Sequence, residues 1–82
     1  MGSESPSTMI LKHLIKSHCS TYDDLKKLLK NANLNPDSVY EYVKYLKRKN
    51  YVHTLKMSRR KIVCINESIR REIELLLKLL SK

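Results

Sequence analysis

Eight basic side chains fall between Lys44 and Lys61 with no acid among them: Lys44, Lys47, Arg48, Lys49, Lys56, Arg59, Arg60 and Lys61. Cations segregated this sharply exceed what solubility requires and suit a polyanion. The 82 residues as a whole carry 17 Lys and Arg against 8 Asp and Glu, a formal net charge of +9. A single small domain this basic usually meets DNA, RNA or an acidic membrane.

Other chemistries find less support. His18, Cys19, His53 and Cys64 are metal-ligating types, but they lack a paired Cys-x-x-Cys spacing, so buried free thiols are the better reading and no metal is expected. Gly2 is the only glycine, which excludes a Gly-rich phosphate loop. Neither a Cys-His-acid order nor a carboxylate pair in a cleft can be assembled, and so small a domain has little volume for a pocket. The expectation is a non-enzyme without cofactor.

No apolar run reaches the roughly 20 residues that cross a bilayer. The N-terminus lacks the charged-then-apolar order of a signal peptide, and Pro6 stands where a myristoylation pattern needs Ser or Thr. With two cysteines and no export signal, the expected setting is a reducing cytoplasm, without a membrane partner. The absence of Gln beside abundant Lys leans in the thermophile direction.

These groups must be positioned by short elements. Residues 1–6 read as a flexible tail. Ser5 or Ser7 caps a first helix, on which Met9, Ile10, Leu11, Leu14 and Ile15 recur at helical spacing until Ser17-His18-Cys19. Ser20-Thr21-Tyr22-Asp23 resembles a capping box for a second helix bearing Leu25, Leu28 and Leu29, which exits through Asn31-Ala32-Asn33-Leu34. Asn35-Pro36-Asp37 opens a third helix with a cap, an N1 proline and a first-turn acid. Val39, Val43 and Leu46 form its apolar stripe, and Asn50 suits a left-handed C-terminus.

The period then changes. Tyr51–Met57 and Lys61–Asn66, on either side of the polar tip Ser58-Arg59-Arg60, read as a hairpin. Glu67–Lys82 returns to helix, with Ile69, Ile73, Leu76 and Leu80 at four-three-four spacing. The fold class is α+β, mostly α: three helices, a β-hairpin and an added C-terminal helix.

This order, and above all the run from Pro36 to Val52, resembles the winged helix-turn-helix family, of a small archaeal type with a viral or plasmid setting in view. The resemblance covers residues 7–66, with Asn50 where Gly is usual, and 67–82 is an appended helix. It implies a duplex-DNA-binding protein in transcriptional regulation, with 36–49 as recognition helix in the major groove and 56–61 as the wing. It also implies that the segment before the second helix pairs with the last wing strand, making Cys19 and Cys64 neighbours. Whether they are bonded stays open.

On this reading Ser38, Tyr40 and Glu41, near the start of the recognition helix, are the candidate base readers. Lys44, Tyr45, Lys47 and Arg48 face the backbone, and Lys56, Arg59, Arg60 and Lys61 clamp phosphates or enter the minor groove. Tyr40 and Tyr45 suit partial burial equally well, and Glu41 suits a surface pair with Lys44 or Tyr45. The last helix carries more apolar surface than a small domain can hide, so Ile69, Ile73, Leu75, Leu76, Leu77, Leu79 and Leu80 are candidate homodimer contacts. Two rivals remain. One is a winged-helix protein-interaction module of a replication or transcription assembly. The other is an RNA binder, for which the hairpin offers Tyr51 alone as a stacking aromatic.

Overall fold

The computed structural model describes residues 5–80. Of the expected tail, residues 1–4 lie outside this range, and Pro6 already opens the first helix. Helix α1 (Pro6–Ser17) starts where the Ser5 hydroxyl accepts from the Thr8 N–H. It stops at His18, whose φ of 67° ends the helical path while its N–H donates to the Leu14 carbonyl. A short strand β1 (Cys19–Thr21) runs straight into helix α2 (Tyr22–Asn31), where the Thr21 hydroxyl accepts from the Asp24 N–H. Asn33, at φ 61°, turns the chain out of α2.

Asn35 then caps a single 3-10 turn (Pro36–Ser38) that leads into helix α3 (Val39–Arg48). The expected recognition helix is therefore a 3-10 turn followed by ten α-helical residues, because Asn35 captures the Asp37 N–H two residues on and tightens the first turn. Asn50 takes the left-handed conformation at φ 66°.

Strands β2 (Val52–Met57) and β3 (Arg60–Ile65) form the hairpin around Ser58-Arg59, with φ 57° at Ser58, so Arg60 belongs to a strand and not to the tip. A two-residue connection needs a positive φ at its first position, and Ser58 supplies it. The antiparallel sheet has the order β1-β3-β2. A second 3-10 turn (Glu67–Ile69), capped by Asn66, leads into helix α4 (Arg70–Leu80).

One core serves all these elements. Ile10, Leu11 and Leu14 of α1 meet Leu25 and Leu29 of α2 and Val39, Val43 and Leu46 of α3. Val52, Val63 and Ile65 close it from the sheet, and Ile73 and Leu77 from α4. The inward stripe of the last helix is thus Ile69, Ile73, Leu77, at steps of four, and not the four-three-four set. Leu76 is 37% exposed. The phase is set at the start of α4, where the Arg70 guanidinium donates to the Ile15 carbonyl at 2.7 Å and pairs with Glu67 and Glu74.

Cys19 and Cys64 are disulfide-bonded, and the free-thiol reading is corrected. They oppose each other in the β1–β3 ladder with Cα atoms 4.0 Å apart. Both sulfurs are consumed, so no zinc arrangement with His18 and His53 forms. The bond also removes the premise by which unpaired cysteines point to a reducing compartment, since intracellular disulfides are normal only in special settings such as hyperthermophiles.

Candidate nucleic-acid interface

Helix α3 buries Val39, Val43 and Leu46 completely or nearly so. The 3.6-residue period then forces Tyr40, Glu41, Lys44, Tyr45, Lys47 and Arg48 outward, and all six are exposed. Tyr40 and Tyr45, at 53% and 49% exposure, are not built into the core. Ser38 is half-buried at the helix entrance and makes no capping bond.

Strand alternation and register give the hairpin two unlike faces. Val52, Thr54 and Lys56 share a face with their partners Ile65, Val63 and Lys61, the side that closes the core. This is also the side toward α3, since the Lys47 ammonium donates to the Thr54 hydroxyl at 3.2 Å. Basic residues of helix and wing thus meet on one surface. His53, Leu55 and Met57, with Cys64, Ile62 and Arg60 opposite them, take the other face.

At the edge of the basic surface lies a notch of about 250 Å³, lined by Thr21, Tyr22, Asp23, Tyr40, Arg59, Arg60 and Lys61. It joins the start of α2, the outer face of α3 and the wing tip. The Tyr22 and Tyr40 rings stack at 5.1 Å between centroids, and the Lys26 ammonium stands 5.0 Å from the Tyr40 centroid. Hydrogen bonding to Tyr40 holds Lys26 above the ordinary lysine range, helped by the charges of Tyr40, Asp37 and Asp23 against some desolvation. Burial, with the Tyr40 charge second, raises Tyr22.

Sequence reasoning missed Thr21, Tyr22 and Lys26. Their local signals are those of a cap and a helix face, and only the packing of α2 beside Tyr40 adds them to the surface. Of the expected site residues, Tyr45 has its ring covered by the Lys49 ammonium at 5.6 Å. Ile73 and Leu77 belong to the core, and Ile69 packs against it. Leu75, Leu76 and Leu79 are exposed on the far side of the molecule's last helix, and the Leu80 side chain lies outside the described residues.

No family model matches the chain, and no curated protein matches it in sequence. Solved structures match its fold. A transcriptional regulator homologue from Pyrococcus horikoshii OT3 aligns with a TM-score of 0.75 at 22% identity, over 92% of this chain and 75% of that one. The fold is a winged helix. The AntR antimony-specific transcriptional repressor aligns at 0.62 and 19% identity, over 90% of this chain and 65% of the repressor. The YusO protein from Bacillus subtilis aligns at 0.67 and 14%, over 98% of this chain and 59% of that protein. This winged helix therefore spans less than two thirds of the latter two. At these identities the likeness is one of fold. Among the described residues, no helix is long and apolar enough to cross a membrane.

Proposed function

We propose that this winged helix is a duplex-DNA-binding transcriptional regulator of the cytoplasm, acting by binding and not by catalysis. One observation carries the reading. The exposed face of α3 and the core-side face of the wing bring Lys44, Lys47, Arg48, Lys56 and Lys61 onto one surface, and the notch at its edge adds Arg59 of the tip and Arg60, the first residue of β3. A helix flanked by a basic ribbon fits a major groove about 12 Å wide with phosphates on either side.

Ser38 and Glu41 are the base readers in this proposal. Tyr40 is held toward α2 by Tyr22 and Lys26, so it lies against the sugar-phosphate backbone. Tyr45, Lys44, Lys47 and Arg48 contact phosphates along the groove, and Lys56, Arg59, Arg60 and Lys61 do so from the wing. Leu75, Leu76 and Leu79 form the core of a homodimer interface that places two recognition helices on one site. The lysine-rich, glutamine-free composition fits an archaeal-type source.

The test is selection from a random-sequence duplex pool at two salt concentrations, with the mass in solution measured alongside. Tight, salt-sensitive binding that enriches a palindrome is expected. Absence of binding at low salt overturns the reading. It would favour protein docking, for which Leu55 and Met57, 46% and 59% exposed on the outer face of the wing, offer an apolar surface beside the basic one.

A further inference from the structure

The DNA-binding reading leaves the one covalent crosslink unexplained. We propose that the Cys19–Cys64 disulfide is a redox-operated latch that, from the opposite side of the sheet, sets the geometry of the DNA-binding face; the proposal rests on that reading.

Its placement is the argument. Cys19 begins β1, and two residues later Thr21 caps α2 and lines the notch together with Tyr22 and Asp23. Cys64 lies near the end of β3, whose beginning, Arg60 and Lys61, lines the opposite wall of the same notch. The bond therefore joins the two walls at their base. A phosphate held between the start of α2 and the wing cations needs those walls at a fixed spacing.

The non-covalent tie is slight by comparison. β1 is three residues long, and its pairs with β3 are Cys19–Cys64, Ser20–Val63 and Thr21–Ile62. The Ile65 N–H to His18 carbonyl bond extends the ladder by one step. Strands this short are marginal, so opening the bond leaves the start of α2 free to shift against the wing while the shared helical core holds.

The bond is also reachable. Cys19 is exposed, whereas Cys64 is 4% exposed, so solvent approaches the bond from the Cys19 side. Both cysteines lie on the outer face of the sheet with His53 and Leu55, away from α3, where bound DNA would not shield them.

The reaction is thiol–disulfide exchange with a dithiol. One thiolate of the dithiol attacks Sγ of Cys19, forming a mixed disulfide and expelling the Cys64 thiolate, which takes up a proton. The second thiolate attacks the dithiol's own sulfur in the mixed disulfide and expels the Cys19 thiolate, which is protonated in turn. The dithiol leaves as a cyclic disulfide, having passed two electrons to the protein.

The experiment measures binding of the full chain to a fluorescein-labelled random-sequence duplex by anisotropy. The protein is used oxidised, reduced with dithiothreitol, and reoxidised, with circular dichroism recorded at the same temperature. Reduction is expected to weaken binding about tenfold and to lower the log–log salt slope by about 1 to 2, the loss of one or two phosphate contacts. Reoxidation restores both. The double variant Cys19→Ser/Cys64→Ser should bind like the reduced protein and ignore dithiothreitol. Equal affinity and slope in folded oxidised and reduced protein overturn the latch alone. Loss of the helical signal on reduction also overturns it, since the bond is then a structural staple. If the oxidised protein binds no DNA at low salt, the DNA reading falls and the latch with it.

Discussion

The ring of Tyr40 stacks on that of Tyr22 with 5.1 Å between centroids and 22° between planes, which joins the outer face of α3 to the first residue of α2. The stack turns an exposed tyrosine of α3 into part of a fixed surface shared by two helices. Tyr40→Phe keeps the stack and should leave both stability and the selected DNA sequence unchanged. Tyr40→Ala removes it, which should cost about 0.5–1.5 kcal/mol of stability and weaken binding to all sequences alike. Selection experiments on the two variants check this. A changed consensus for Tyr40→Phe would show that the hydroxyl reads a base.

The disulfide closes a loop of sequence separation 45. On the chain-entropy model a loop of that size stabilises the fold by about 4 kcal/mol. Small domains have about 5–15 kcal/mol in all, so the reduced chain should stay folded at room temperature and melt well below the oxidised one. Denaturant midpoints with and without dithiothreitol measure the difference; coincident curves would refute it.

His18 Nδ1 lies 2.9 Å from Glu67 Oε2 and links the end of α1 to the turn before α4. This hydrogen bond, with the Arg70 charge behind it, holds the Glu67 carboxyl below its ordinary value of 4.5. A carboxyl depressed in the folded state contributes its stability above the unfolded value and loses it as the pH falls. The contribution is therefore full above about pH 4.5 and fades below it. Glu67→Gln should lower stability above about pH 4.5 and leave it nearly unchanged at lower pH, which flattens the acid limb of the curve, as urea midpoints across that range would report.

If Arg59 and Lys61 each neutralise a phosphate, Arg59→Ala/Lys61→Ala should lower the log–log salt slope by about 2 and weaken binding to all sequences equally. Both residues are exposed, so the melting temperature should barely move. A change of sequence preference without a change of slope would place them on bases.

The exposed leucines of α4 give the last prediction. Leu75→Lys/Leu79→Lys should convert a particle of twice the 9.7 kDa chain mass into a monomer, with helical content intact because Ile73 and Leu77 hold the helix to the core. Sedimentation equilibrium decides. A wild-type chain that sediments as a monomer at micromolar concentration removes the dimer from the proposal.

The sequence alone determined the four helices, the hairpin and their order, while the short strand β1 and the two 3-10 turns were not read from its spacing. Ser5, Thr21, Asn35 and Asn66 each bond an N–H two or three residues ahead, Pro36 presets its own φ, and Val39, Val43 and Leu46 mark one face of one helix. All of these depend on near neighbours, so spacing suffices to read them. Tertiary structure decided what depends on distant partners. Register brought Cys19 to Cys64 across 45 positions, and the anchoring of Arg70 on Ile15 chose Leu77 over Leu76 for the core. The leucine-rich arc of α4 is wide enough to accept either phase, and the residues around Cys19 and Cys64 carry no mark of whether the two are bonded. The packing of α2 beside Tyr40 likewise recruited Tyr22 and Lys26 to the basic face, because a residue's neighbours on a surface are set by how helices cross and not by its own type.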